Sequence, residues 1–365
     1  MENIILTLLL FFILMAFLFQ ISKRNNLNKL VQSFLILSLF WIFSIEIKSS
    51  ADWDAYVLLF ENKGANIDFF FKFLSSAFKN IGLQFEQLYQ FHIILISLLF
   101  INFIRKVNNS IFLVFGIYAI LYFVPITNQI RYYLAFSLFL NGCYYLYVDK
   151  KNKLSLVVFT LAVLSHSAIL GLLLFVVLNK FSKKIGYIKV LIITSLSLLG
   201  ISFFLQVIGV VSYLDKYAVY FSKESASSFL GGLFNIFPYI ILLTLIYYNY
   251  QKTIKRNIFF KNDLLYLLLY KLSMYTIIFI PISFYFQVLS HRYVIPFVIV
   301  WVCLYLYPFQ YSKNQVKSLQ AMWLTLFVFF LLFFYNYFLS EYVFGEVSSY
   351  LEQFEDSYNS IPYFK

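Results

Sequence analysis

Charge is scarce in this chain: 12% of its 365 residues are Asp, Glu, Lys or Arg, against 62% hydrophobic. A soluble domain of this length has no place for 47 Phe and 31 Tyr. Apolar runs of about 18 or more residues that cross a bilayer do. Cysteine is almost absent. Cys143 and Cys303 both lie in apolar runs without metal-ligand spacing, which argues against a disulfide framework or a cysteine-metal site. No low-complexity linker, internal repeat or soluble domain interrupts the chain. The P-loop, the dinucleotide-binding fingerprint, the zincin motif and the serine-nucleophile elbow are all missing. Chemistry, if the chain performs any, is left to a cavity in the membrane.

What is present is a series of apolar runs, at 3–20, 30–47, 88–104, 111–127, 131–148, 188–211, 233–249, 263–287, 293–307 and 319–339. They predict an all-α polytopic membrane protein of about ten full spans, forming one transmembrane domain over 1–339. External segments are expected at 48–87 and 212–232, followed by an acidic external tail at 340–365. Within the first of these, the aromatic-rich stretch Ile67 to Phe78 reads as an amphipathic helix lying on the outer surface. The first run has no basic residue before it, and Lys23, Arg24 and Lys29 follow it. That order predicts a retained anchor with its N-terminus outside.

The net charge of +12 is not a nucleic-acid signal, because it separates onto two faces. Loops 21–29, 105–110, 149–153, 180–189, 250–262 and 308–318, with the flanking Asp263, hold 18 of the 28 Lys and Arg and 2 of the 16 acids. The positive-inside rule places these loops in the cytoplasm and both chain ends outside. One run, 154–179, then lies between two cytoplasmic loops. A single crossing there would export Lys180, Lys183, Lys184 and Lys189 and reverse every later loop. Either this run enters from the cytoplasm, breaks near Ser165-His166-Ser167 and returns, or it is one long helix with a misleading loop. In the first case each arm is about 12 residues, or about 18 Å of helix. Its broken backbone must be buried in protein or line a wet cavity.

Few residues in these runs carry chemistry. Arg131 and Arg292 each open a helix on the outer side and each precedes tyrosine, in Arg131-Tyr132-Tyr133 and His291-Arg292-Tyr293. A helix N-terminus favours anions, and arginine adds a planar fork matched to phosphate oxygens. Two such ends facing one cavity would grip a diphosphate. The alternative is that both arginines mark the membrane interface within an aromatic belt. His166 is either a base or hydrogen-bonding group towards a sugar hydroxyl, or a histidine satisfied by a neighbouring backbone. Asp52-Trp53-Asp54 is either a D-x-D that holds a divalent cation beside a diphosphate or a solvated acidic loop. Lys271, about 12 Å inside its helix, is within snorkelling reach of the cytoplasm.

Three blocks among these residues resemble the EpsG-like branch of the Wzy-type polysaccharide polymerases. Ser50-Ala51-Asp52-Trp53-Asp54-Ala55-Tyr56 looks like the family's G-T-D-x-x-x-Y loop, with Ser50 in the place of the glycine. Asn128-Gln129-Ile130-Arg131-Tyr132-Tyr133-Leu134-Ala135 looks like its I-R-x-x-L-A block. Leu161 to Leu170 looks like its A-x-x-x-H-x-S-x-L block, with His166 as the histidine. The second half of the chain matches in hydropathy and in His291-Arg292.

The resemblance implies a multi-pass enzyme of the bacterial inner membrane. It would join undecaprenyl-diphosphate-linked oligosaccharide repeats into O-antigen, capsule or exopolysaccharide on the outer face. Arg131, Arg292 and His166 are its candidate catalytic residues. Asp52, Asp54, Tyr56, Gln129, Tyr132 and His291 are candidate substrate contacts. No cofactor or metal is implied, and the implied partners are the lipid-linked oligosaccharide, membrane lipids and a chain-length regulator. Two rivals are a metal-using glycosyltransferase fed by a lipid-phosphate sugar and a lipid-linked oligosaccharide flippase.

The returning-hairpin topology makes a direct prediction. A cysteine placed at Lys184 is protected from an impermeant thiol reagent in intact cells, whereas labelling there would show a single crossing.

Overall fold

The computed structural model describes residues 26–44, 52–61, 68–108, 110–208, 229–284, 289, 292–311 and 315–338. The first predicted span, most of segment 212–232, the acidic tail and His291 lie outside them. Among the described residues every regular element is helical. The chain divides into two compact units, one built from 1–170 with 306–341 and 346–365, the other from 171–305 with 342–345.

The first unit contains α1 (Asn26–Ser44), α2 (Trp53–Phe60), α3 (Phe69–Asn80), α4 (Phe85–Val107), α5 (Ile111–Asn128), α6 (Ile130–Tyr147) and α7 (Asn152–Ser165). Later in the chain, α15 (Gln315–Phe338) packs on α5. Its most extensive packing is α6 against α7, and α4 lies along α6. The α6–α7 contact is close because of Gly142: a methyl group there would lie 2.5 Å from the Phe159 ring. Ser155 Oγ uses the same approach to donate to the Gly142 carbonyl at 2.9 Å. Across the α4–α6 seam, Asn102 Nδ2 donates to Asn141 Oδ1 at 2.7 Å, and Asn141 Nδ2 donates to the Leu99 and Ser137 carbonyls, each at 2.9 Å. Such side-chain amides fix the register of helices that apolar packing alone leaves free to slide.

Among the described residues, α4 is long and apolar enough to cross a membrane unbroken. The expected span at 111–127 is bent: its halves, Ile111–Ala119 and Leu121–Asn128, meet at 63°, with Tyr122 at non-helical angles. Pro125 lacks an N–H and its ring crowds the carbonyl four residues back, which accounts for the bend.

The second unit begins within α8 (Ile169–Ile185) and continues through α9 (Tyr187–Ile208), α10 (Phe229–Arg256), α11 (Ile258–Asn262) and α12 (Leu264–Tyr275). The run expected as one span at 263–287 is broken here. α12 gives way to a 3-10 turn at Thr276–Ile278 and then to α13 (Ile280–Ser283), which carries Pro281 in its first turn. Pro281 cannot donate to the Ile277 carbonyl. Ser195 Oγ from α9 serves the carbonyls at this break instead, at 3.4 Å to Ile277 and 3.1 Å to Ile278. The 293–307 run likewise starts with a 3-10 turn, Ile295–Phe297 around Pro296, before α14 (Val298–Gln310). Lys271 is engaged by protein: its Nζ donates to Asn179 Oδ1 at 2.6 Å and lies 5.4 Å from the Tyr187 ring centroid.

The outward helix faces are apolar. Ile192, Ile193, Leu196, Ile201 and Phe204 on α9 are exposed, as are Leu156 and Val157 on α7 and Trp323, Phe327 and Phe330 on α15. Exposed apolar side chains of this kind on each helix suit hydrocarbon contact.

Candidate active site

The expected amphipathic helix of the outer segment forms as α3, two residues later than the reading from sequence. It buries Phe71, Leu74 and Ser75 and exposes Phe69, Lys72 and Phe73. It packs on α7, the helix that leads into His166. This docking brings the residue before the helix, Asp68, to the centre of the site.

Asp68 is the N-cap of α3. A capping aspartate ordinarily accepts from the first free N–H groups of its own helix. Asp68 makes no such side-chain bond. One carboxylate oxygen, Oδ2, instead takes Arg131 Nη1 at 2.8 Å. The other, Oδ1, accepts a long hydrogen bond of 3.4 Å from the Ser167 backbone N–H, next to His166. The ion pair is largely buried, with 20% of the Arg131 and 15% of the Asp68 side-chain surface exposed.

Arg131 is the second residue of α6, after the N-cap Gln129. Its guanidinium carbon lies 5.3 Å from the Tyr56 ring centroid and 5.6 Å from that of Phe71. Each cation–π contact of this kind is worth about 0.5–2 kcal/mol, more as water is excluded. Tyr56 is buried on α2 between Phe71 and Phe85. Burial pushes its phenol up from the ordinary value, Arg131 opposes that shift, and Asp52 adds to it. Arg131 Nε and Gln129 Oε1 are buried with no hydrogen-bond partner among the described residues. The arginine therefore holds donor capacity that the ion pair does not use.

His166 terminates α7 at the expected place. It adopts an extended conformation (φ −160°, ψ 121°). Its carbonyl accepts from Ile169 N at 3.1 Å, which turns the chain into α8. Its Nδ1 lies 3.1 Å from the Ala168 backbone nitrogen. A backbone N–H can only donate, so Nδ1 accepts and the proton of the neutral ring sits on Nε2. The imidazole meets the Tyr132 ring edge to face, with centroids 5.6 Å apart and planes at 88°.

The structure thus brings together Tyr56, Arg131, Tyr132 and His166 from the candidate residues, with Gln129 at the start of α6. It adds Asp68 and Phe71, which motif reading passed over. Asp52 stands at the N-terminus of α2, where its carbonyl accepts from Tyr56 N at 3.0 Å. Asp54, two residues on, is exposed. Among the described residues no group of three or more His, Cys, Asp or Glu is placed to hold a metal ion.

Arg292 belongs to the second unit. There the neighbouring Tyr293 stacks on Phe279, with centroids 4.4 Å apart and planes at 13°, and fits against Gly171, where a methyl group would approach its ring to 3.0 Å. Tyr275 Oη donates to the Gly171 carbonyl at 2.5 Å.

A family model described as the EpsG family matches residues 29–351, which include every residue of this site. No curated protein and no solved structure matches the chain.

The aromatic cradle yields a prediction. Tyr56→Leu removes one cation–π face and lowers the thermal midpoint of the purified protein more than Tyr56→Phe, which keeps the ring. Equal losses from both would mean the hydroxyl, not the π face, supports Arg131. Because the phenol is shifted upwards, its contribution to stability is present below 10.0 and is lost as pH rises through the higher folded value.

Proposed function

Because the chain belongs to the EpsG family, we propose that it is a membrane glycosyltransferase that polymerises lipid-linked oligosaccharide repeats. A growing glycan on undecaprenyl diphosphate donates its reducing-end sugar to a hydroxyl of an incoming lipid-linked repeat, and undecaprenyl diphosphate leaves. The product is an O-antigen, capsule or exopolysaccharide chain. The protein works at the outer face of the bacterial inner membrane. It crosses that membrane about ten times, with 154–179 returning to the cytoplasm around His166.

The observation that carries this reading is the setting of Arg131. Its guanidinium lies between two aromatic rings, is tied through Asp68 to the loop of His166, and keeps an unspent donor at Nε. A planar cation with spare donors, held in a largely dry place, is suited to charge developing on a departing diphosphate. Arg292 is the second candidate for that charge. His166 orients the acceptor or the leaving group, and Tyr132 holds its ring. Tyr56 acts through Arg131, while Asp52, Asp54, Gln129 and His291 remain candidate contacts for the glycan. A diphosphate is already a good leaving group, so the proposed reaction needs no metal or cofactor. A chain-length regulator is the expected protein partner.

The experiment is the cell-surface glycan length profile of a strain lacking the gene, with the wild-type gene or an Arg131 variant restored. The polymerase reading predicts loss of long chains while single repeats still reach the surface. It predicts no recovery with Arg131→Ala, and none with Arg131→Lys, which cannot form the bidentate contact. Loss of single repeats as well, with lipid-linked intermediates trapped inside, would indicate a flippase or an earlier glycosyltransferase. Normal chain lengths with Arg131→Ala would remove Arg131 from the mechanism.

A further inference from the structure

We infer that Asp68 is the general base of the transfer, masked by Arg131 until the diphosphate of the donor displaces it. This inference rests on the polymerase reading and assigns a step which that reading leaves open.

A sugar hydroxyl that attacks an anomeric carbon must lose its proton. His166 is poorly prepared to take it. Its Nδ1 accepts from the Ala168 N–H, so its proton is on Nε2, and in this state Nε2 donates and does not accept. That arrangement suits a hydrogen bond to an anionic or glycosidic oxygen. Asp68 has the opposite properties. It is a largely buried carboxylate that forgoes capping its own helix and touches both Arg131 and the backbone beside His166. Carboxylates serve as the base in inverting sugar chemistry, where the hydroxyl becomes acidic as the bond to the anomeric carbon forms.

The ion pair supplies the timing. Arg131 Nη1 occupies Asp68 Oδ2 at 2.8 Å, so an acceptor hydroxyl reaches that oxygen only once the guanidinium moves away. A diphosphate carries more negative charge than one aspartate and offers paired oxygens to the arginine fork. When it binds, Arg131 exchanges partners. Asp68 stays near the site through Ser167 N–H and is released for the acceptor. The acceptor oxygen then forms its bond to C1 of the donor glycan, the C1–O bond to phosphate breaks, and the hydroxyl proton passes to Asp68. The electron pair of the broken bond leaves with undecaprenyl diphosphate, whose charge Arg131 holds. Asp68 later releases its proton to water, and Arg131 returns to it.

The test uses the purified full-length protein in liposomes with undecaprenyl-diphosphate-linked repeats. Asp68→Asn keeps the shape and an acceptor oxygen for Arg131 but cannot take a proton. The expected result is a fall in kcat of at least about a hundredfold, the lower end of what a positioned base contributes, with KM unchanged or lower. In Asp68→Gly, added formate restores part of the polymerisation. An Asp68→Asn protein within a few-fold of wild-type kcat overturns the inference. So does a loss confined to KM or to thermal stability together with no formate rescue in Asp68→Gly, because the pair would then be structural. Wild-type protein that makes no polymer overturns the polymerase reading and this step with it. An active wild type with an active Asp68→Asn overturns this step alone.

Discussion

An arginine and an aspartate set side by side away from water govern this site. Withdrawing both charges from solvent is costly, and the attraction between them offsets the cost only when geometry is good and the remaining donors and acceptors are served. Arg131 and Asp68 meet at 2.8 Å, and the second carboxylate oxygen reaches the backbone of Ser167. The partners are 63 residues apart in sequence, and Asp68 and Ser167 are 99 apart. One carboxylate therefore joins the start of helix α3, the start of α6 and the turn that breaks the chain at His166. Without it, Arg131 would keep its two aromatic rings but lose this ion pair, and the His166 loop would meet the start of α6 through the Tyr132 ring.

Much of the architecture was legible in hydropathy. The helices α4, α6, α9 and α10 coincide with apolar runs to within a few residues at most ends, α10 running longer at its C-terminus. The amphipathic helix of that segment forms, because Phe71 and Leu74, one turn apart, make an apolar face that needs a surface to cover. The break at His166 also falls where Ser-His-Ser interrupts an apolar run. Arg131 and His166 stood out for a related reason: ionisable groups are expensive in apolar surroundings, so each one present calls for a partner.

The partner itself was not legible. Asp68 lies in a loop ahead of an amphipathic helix, where an aspartate reads as an ordinary N-cap, and only the docking of α3 on α7 turns it towards Arg131. The packing of Tyr56 was not legible either: its ring is buried on α2, 5.3 Å from the Arg131 guanidinium carbon. Breaks in the apolar runs fall at prolines, where local backbone chemistry overrides hydropathy. α5 bends ahead of Pro125, and the run after α12 is interrupted at Pro281. Lys271 read as a lysine reaching towards the cytoplasmic side, and its partners there, Asn179 and Tyr187, come from the neighbouring helices α8 and α9.

On the proposed reading, Asp68 is the placeholder of an anion site centred on Arg131. Asp68 occupies the arginine and keeps the loop of His166 in register. The most direct measurement is a double-mutant cycle on thermal stability in nanodiscs, comparing wild type, Asp68→Asn, Arg131→Gln and the double variant. The account predicts that the single losses are non-additive, with a coupling of about 1–3 kcal/mol, as for contacting partners in one network. Additive losses would show that the two residues do not interact, which would remove the link that Asp68 makes between Arg131 and the His166 loop.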